Sequence, residues 1–290
     1  MGVVDGETVL AEAAEAYRVA LGDRLAAAYA LGSLAHGGFS PLVSDIDLGL
    51  VLSDPLLPGD ADTIQTLADT EKSKGSALHQ RLSVFWGTPS TLQGEQRGGR
   101  FPALDRLDLI ENGRLLAGTD EARNGLSRPR AGELLVTGAE FALDNLAGVR
   151  RRVAPLTQGL GSLRPAGEDA VEEIRAPDLL VAHGVRRLTK LVLFPVRFLF
   201  TAATGRVGTN DAAVAHYLND GEAPSTTLVA AALAWRTAPP TDDGATAELL
   251  REQIVPLYLR YIDDHITPLT SLGEIELTSA FQEWRDRLLR

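Results

Sequence analysis

The chain has 290 residues, of which 44% are hydrophobic and 23% charged, a composition typical of a soluble globular protein long enough for two domains. Its net charge of −11 argues against a large DNA- or RNA-binding surface, because such surfaces are basic, and favours a cationic small molecule as partner. The absence of cysteine excludes disulfides and thiolate metal sites.

Hydropathy gives no sign of a membrane segment. The longest apolar stretch, 191–200, is about half the length of a membrane-spanning helix and contains Pro195 and Arg197. The N-terminal residues lack the basic region and apolar core of a secretory signal. We therefore expect a cytoplasmic protein that does not bind membranes.

The first part of the chain predicts helices alternating with short strands. Apolar residues recur at helical intervals over 7–21 and 60–78. Short apolar or alternating runs predict strands, the last two joined by a turn at Asn112-Gly113. These predicted strands cover 26–31, 45–52, 81–86, 107–110 and 115–116.

The pattern changes near residues 127–130, after which nearly every periodic segment is helical. We predict an α+β fold with two domains: 1–127, a small mixed sheet flanked by helices, and 128–290, an α-helical bundle. The helices predicted in the second domain cover 133–152, 171–204, 210–218, 225–235, 246–264 and 277–289.

The most informative motif joins the first two predicted strands. Gly32-Ser33 ends the first strand, and Asp45 and Asp47 begin the second. Carboxylates at positions i and i+2 of a strand point to the same face, so they can hold one divalent cation such as Mg²⁺. A flexible Gly-Ser turn can place amide groups and a hydroxyl against phosphate oxygens. Together these features predict nucleotide chemistry.

The order of strand, Gly-Ser turn, short helix and strand with Asp-x-Asp resembles the DNA polymerase β nucleotidyltransferase superfamily. Within it, segments 31–38 and 44–48 look most like the aminoglycoside adenylyltransferases that act on streptomycin and spectinomycin. A weaker similarity covers 188–218. The resemblance implies that a nucleoside monophosphate passes from ATP or another NTP to a hydroxyl, with pyrophosphate leaving.

The resemblance also implies roles for individual residues. Asp45 and Asp47 would be the catalytic Mg²⁺ ligands, and Gly32, Ser33 and Ser44 would bind the nucleotide. His36 follows the turn closely, so it either contacts the nucleotide or caps the short helix.

Two positions depart from the family pattern. The superfamily commonly has a third carboxylate on a later strand, but the strand over 81–86 offers Arg81 and Ser83 at its inward polar positions. An acid from another element would have to replace it. The candidates are Glu71, Glu95, Asp105 and Asp108, with the last two preferred, although a solvated face or helix cap also explains that pair.

The second departure lies in the helical half. Asn210 stands where the family usually has a lysine for the triphosphate, some five residues after a Thr-Gly pair. Arg206 or Lys190 would have to supply that charge. Since arginine and lysine differ in geometry, such a replacement would change how the nucleotide sits.

These observations favour a metal-dependent nucleotidyltransferase acting on a small cationic acceptor such as an aminoglycoside. The alternative is a catalytically impaired nucleotide-binding or regulatory protein of the toxin-antitoxin type that retains the fold. Arg260 and His265 have the R-x4-H spacing of small helical ribonuclease domains found in such systems. A nucleotidyltransferase acting on RNA or protein is disfavoured by the low basicity.

Overall fold

The computed structural model describes residues 5–148 and 169–290, which form two compact units that divide between Pro129 and Arg130. The first unit contains a four-stranded sheet and helices. The described elements of the second unit are helices, apart from an isolated bridge between Ala147 and Asp169. None of the helices in the described ranges combines the length and apolar character needed to span a bilayer.

The first unit alternates helices and strands. Its elements are α1 (Gly6–Leu21), β1 (Leu25–Leu31), α2 (Gly32–His36), β2 (Ile46–Leu52), α3 (Asp60–Ser73), β3 (Leu82–Gly87), α4 (Pro89–Leu92), α5 (Ala103–Asn112), β4 (Arg114–Gly118) and α6 (Glu121–Asn124). The second unit comprises α7 (Ala131–Asn145), α8 (Val171–Arg175), α9 (Pro177–Ala182), α10 (Val185–Thr204), α11 (Asn210–Leu218), α12 (Thr226–Trp235), α13 (Asp243–Ser271) and α14 (Ile275–Leu289).

The sheet is mixed, with strand order β3-β2-β1-β4. Strand β1 is antiparallel to β2 and β4, while β2 and β3 are parallel. The register places Asp47 opposite Leu31 on one side and beside Ser83 on the other. This arrangement brings the end of the first strand, which leads into the Gly-Ser turn, next to the start of β2.

The two faces of the sheet pack against different helices. Even-numbered residues of β2, such as Leu48, share a core with α1 and α3. The opposite face forms a smaller core in which Leu109 of α5 packs with Tyr29, Leu31 and Val51. Because side chains alternate along a strand, Asp47 belongs to the face that α5 covers.

The predicted strand over 107–110 is wrong, because these residues lie inside α5. Pro102 precedes the first turn of this helix, and buried residues follow at helical spacing. The Asn112-Gly113 pair ends the helix instead of forming a hairpin, with the Gly113 amide donating to carbonyls of α5. The strand predicted at 115–116 is confirmed as part of β4.

Several predicted helix boundaries also change. The single helix predicted over 171–204 is divided into α8, α9 and α10, because Pro177 begins a new helix and Gly184 has φ +85°. Helix α3 ends before Gly75, which has φ +87°, while α13 is longer than predicted. Residues 149–152 of the predicted helix over 133–152 lie outside the described residues.

The packing of α5 on the sheet predicts a measurable cost for truncating its buried face. Leu109 is 0% exposed, so we expect Leu109→Ala to lower the free energy of unfolding by about 2–5 kcal/mol, through lost burial and a cavity. Leu115→Ala, at a position 39% exposed in β4, is the matched control and should cost clearly less. Chemical denaturation followed by intrinsic tryptophan fluorescence tests this, and equal costs would contradict the burial of Leu109 against the sheet.

Candidate active site

The turn between β1 and α2 is built around Gly32. Its φ of +59° is left-handed, and a Cβ at this position would lie 2.2 Å from Oδ2 of Asp47. The Gly32 amide donates a hydrogen bond to Oδ2 of Asp108 over 2.6 Å. Only glycine fits here, because both the backbone conformation and the approach of Asp47 exclude a side chain.

The loop before β2 brings Asp45 and Asp47 to this turn. Asp45 directly precedes the first residue of β2, Asp47 is its second residue, and both are half-buried. Buried Ser44 orders the loop, because its amide donates to the Ser40 carbonyl and its hydroxyl accepts from the Ser40 amide over 3.0 Å. The predicted nucleotide contact of Ser44 stays a prediction beside this structural role.

Helix α5 contributes a third carboxylate, that of Asp105, close enough to Asp47 to interact with its charge. Asp105 keeps some exposed surface, yet protein surrounds its carboxyl group. Burial first, and then the negative charges of Asp47 and Asp108, raise the pKa of Asp105 to about 8, while Arg100 opposes the shift. Arg100, which the sequence did not indicate, also donates to the Val84 carbonyl over 3.1 Å.

The four acids considered as replacements for the missing strand carboxylate thus differ in their surroundings. Asp105 interacts with Asp47, and Asp108 binds the Gly32 amide. Buried Glu71 forms an ion pair with Lys74 over 2.7 Å, and Glu95 is exposed. Ser83, the neighbour of Asp47 on β3, occupies the position where the resemblance expects the acid.

The oxygen ligands at this place suit a hard cation such as Mg²⁺. Asp45 and Asp47 offer carboxylates from one segment, and the repulsion that Asp105 experiences is of the kind a cation relieves. Nevertheless, within 5–148 and 169–290 no three acidic or histidine side chains converge closely enough to hold a metal ion as they stand. Magnesium binding therefore remains a prediction.

The remaining residues predicted in the first unit lie on α2. Ser33 is the second residue of this helix and is half-buried. His36 is its last residue, and its Nδ1 lies 3.0 Å from the Gly37 carbonyl oxygen. This position fits the helix-capping interpretation of His36, while its contact with nucleotide stays a prediction.

Arg206 is an exposed residue of the second unit and lies in the loop between α10 and α11. Its amide donates to Oγ1 of Thr204 over 3.2 Å. Lys190 lies within α10, and Asn210 is the first residue of α11. Contact of Arg206 or Lys190 with a triphosphate stays a prediction.

Sequence reasoning missed two other arginines of the second unit. Arg197 on α10 donates from Nε to the Gly208 carbonyl over 2.5 Å, in the same loop as Arg206. Arg236 is buried, and its pKa is lowered by burial and by the nearby charge of Arg197. No sequence pattern indicates that these residues are neighbours. Arg197 lies on α10 and Arg236 just after α12, and their charges come near each other only in the folded chain.

The R-x4-H spacing on α13 does not form a nuclease site. Arg260 is paired with Asp264 over 2.6 Å and with Asp220 over 3.1 Å. His265 is 1% exposed and packs against the rings of Tyr261 and Phe281. Burial lowers the pKa of His265 to about 4, so this histidine is neutral and inaccessible to a substrate.

Comparisons with known proteins give a likeness in fold. No protein-family model and no curated protein sequence matches the chain. Among solved structures, the chain is similar to spectinomycin adenyltransferase AAD(9) from Enterococcus faecialis, whose structure contains ATP and spectinomycin. The TM-score is 0.54 and the identity 11%, over 99% of this chain and 100% of AAD(9). The chain therefore shares its fold with a spectinomycin adenyltransferase.

The close approach of Gly32 and Asp47 predicts that Gly32→Ala is destabilising. The left-handed backbone alone costs about 1–2 kcal/mol for a residue with a Cβ, and the methyl group would also push Asp47 away. Gly59→Ala is the control, since Gly59 has φ −91° and open space around its Cβ position. Thermal melts of both variants test the prediction, and equal melting temperatures would contradict the described turn.

The raised pKa of Asp105 predicts a pH-dependent effect of Asp105→Asn in the absence of divalent cations. The folded state holds the proton more tightly than the unfolded state, so wild-type stability falls as the pH rises from about 4 to about 8. Asp105→Asn has no carboxyl group to titrate, so its stability should not fall in this way. Its melting temperature should therefore rise relative to that of wild type as the pH increases from about 4 to about 8. Melts in EDTA test this, with exposed Glu95→Gln as control, and a pH-independent difference would contradict the contact.

Proposed function

We propose that this protein is a metal-dependent nucleotidyltransferase that transfers a nucleoside monophosphate from ATP or another NTP to a hydroxyl of a small cationic acceptor. One observation carries the proposal: the Asp47 carboxylate packs against the Gly32 turn, with the Asp105 carboxylate next to it. The likeness in fold to AAD(9) supports it independently.

The proposal divides the site into three parts. Asp45 and Asp47 would hold Mg²⁺, which neutralises charge on the transferred phosphate and the leaving pyrophosphate. Gly32 and Ser33 would form the turn against the triphosphate, with Ser44 ordering the loop behind Asp45. His36 and Arg206 are kept as secondary nucleotide contacts.

Asp105 is proposed as the general base. The three acids do not converge as a ligand set, so Asp105 is better suited to accept a proton than to complete the metal site. With its pKa raised to about 8, the Asp105 carboxylate is a stronger base than an ordinary aspartate, and it accepts a proton once it has lost its own. The acceptor oxygen would bond to the α-phosphorus as its proton passes to Asp105, and the bond to the β-phosphate would break to release pyrophosphate.

The acceptor class rests on charge and on the fold likeness. A net charge of −11 attracts cationic molecules and repels polyanions such as RNA. The AAD(9) structure contains spectinomycin, which makes aminoglycosides and related antibiotics the first acceptors to test. The alternative of an impaired enzyme was motivated by a missing third acid and by Asn210 in place of a lysine. Asp105 is our proposed replacement for the acid, and a replacement for the lysine by Arg206 or Lys190 stays a prediction.

Incubation of the protein with labelled NTPs, Mg²⁺ and a panel of aminoglycosides and spectinomycin tests the proposal. We expect pyrophosphate release and a labelled acceptor. Asp47→Asn should abolish detectable transfer because a metal ligand is lost, and Asp105→Asn should slow it by about a hundredfold or more because a general base is lost.

Asp62→Asn is the matched control, since Asp62 is an exposed acid on α3 outside the site. This variant should retain wild-type transfer. Nucleotide binding without pyrophosphate release for any acceptor would favour a nucleotide-binding protein that does not turn over. No binding of Mg²⁺ and NTP at all would overturn the proposal.

A further inference from the structure

Asp108 is a buried carboxylate that the proposed chemistry leaves unused. It is only 7% exposed, and both of its oxygens have partners. Oδ2 accepts from the Gly32 amide over 2.6 Å, and Oδ1 accepts from Nδ2 of Asn112 over 2.8 Å. Burial of a carboxyl group is costly unless hydrogen bonds satisfy its oxygens, and these two bonds do so for Asp108.

The Asn112 contact fixes the orientation of the carboxylate. Asn112 lies one turn after Asp108 on α5, the spacing at which side chains meet on one helix face. Its amide therefore directs the other oxygen of Asp108 toward Gly32. The short, charge-assisted bond that results joins residues 76 positions apart in the chain and ties α5 to the turn.

Gly32 is in contact with two acids at once. Its amide is held by Asp108, and its Cα faces Oδ2 of Asp47 so closely that no Cβ would fit. Asp105 lies one turn before Asp108 on the same helix and interacts with Asp47. The Asp108 bond thus joins the turn that Asp47 contacts to the helix that carries Asp105.

We propose that Asp108 is a positioning residue for the nucleotide, which fixes the Gly32-Ser33 turn against α5 through its bond to the Gly32 amide. This inference rests on the proposed function and adds a residue to it. Asp108 acts through the turn and touches neither nucleotide nor metal. The role requires that Asp108 accepts a hydrogen bond from Gly32, and it depends less on the negative charge of Asp108.

Two substitutions separate the acceptor from the charge. In Asp108→Asn the side-chain oxygen can still accept from Gly32, and the amide can donate to Asn112 once the Asn112 amide is turned over. In Asp108→Ala both bonds are lost. Glu111→Gln is the matched control, because it removes a negative charge from the same helix at a side chain paired with Arg128.

The readout is binding of a non-hydrolysable ATP analogue with Mg²⁺, measured by titration calorimetry on the full chain. We expect Asp108→Ala to weaken binding by at least about tenfold, as loss of a charge-assisted bond predicts. Asp108→Asn should retain most of the affinity, and Glu111→Gln should match wild type. Circular dichroism verifies that each variant is folded.

Hydrogen exchange of the segment that contains the Gly32 amide tests the contact without nucleotide. The amide should exchange slowly in wild type and Asp108→Asn. Fast exchange in folded wild type would overturn the inference even if Asp108→Ala does not fold. Unchanged or tighter nucleotide binding by Asp108→Ala would also overturn it, since tighter binding would mean that Asp108 occupies a phosphate position.

These results distinguish the inference from the proposed function. If wild type binds no nucleotide, the proposed function fails and the positioning role fails with it, whatever the exchange rates. If wild type binds nucleotide and Asp108→Ala binds equally well, only the positioning role fails.

Discussion

The contact between Gly32 and Asp47 is the constraint on which the candidate site depends. A carboxylate oxygen occupies the space where any other residue at position 32 would carry its Cβ, and the backbone there is left-handed. Because Leu31 is paired with Asp47 across β1 and β2, the turn and the acid are held together by the sheet itself. Strand pairing brings Gly32 close to Asp47, and the absence of a Cβ at position 32 makes so close an approach possible. The antiparallel pairing of two short strands thereby places an acid beside the left-handed turn at Gly32.

Electrostatics is the second constraint, because Asp47, Asp105 and Asp108 lie near one another in a partly buried place. Like charges in such surroundings are unfavourable unless hydrogen bonds, cations or protons compensate. Asp108 is compensated by two hydrogen bonds, and Asp105 by the charge of Arg100 and by a raised pKa. Repulsion of this kind is relieved by uptake of a proton or by a nearby positive charge.

Helix α5 is the element where the predicted secondary structure was wrong and where two of the candidate acids lie. The sequence Leu107-Asp108-Leu109-Ile110 alternates enough to suggest a strand, and four residues are too few to separate a period of two from a period of 3.6. As a helix, the segment places Asp105 and Asp108 on one face, one turn apart, toward the sheet face that carries Asp47. As a strand, it would have given them no common direction. The helix, and not the predicted strand, therefore brings Asp105 near Asp47 and Asp108 to the Gly32 amide.

The sequence alone determined the strand, turn and strand with Asp-x-Asp, because Gly-Ser and two aspartates at i and i+2 carry their geometry in their spacing. It also indicated a mixed α/β first half and a helical second half, since hydrophobic periodicity is a local property. Only the tertiary structure decided that Asp105 of α5 lies near Asp47 and that Asp108 of α5 binds the Gly32 amide. It also decided that the charges of Arg197 and Arg236 lie near each other. It also buried His265, whose spacing from Arg260 had suggested a nuclease. These outcomes depend on packing between residues distant in the chain, and no local pattern records which faces will come into contact.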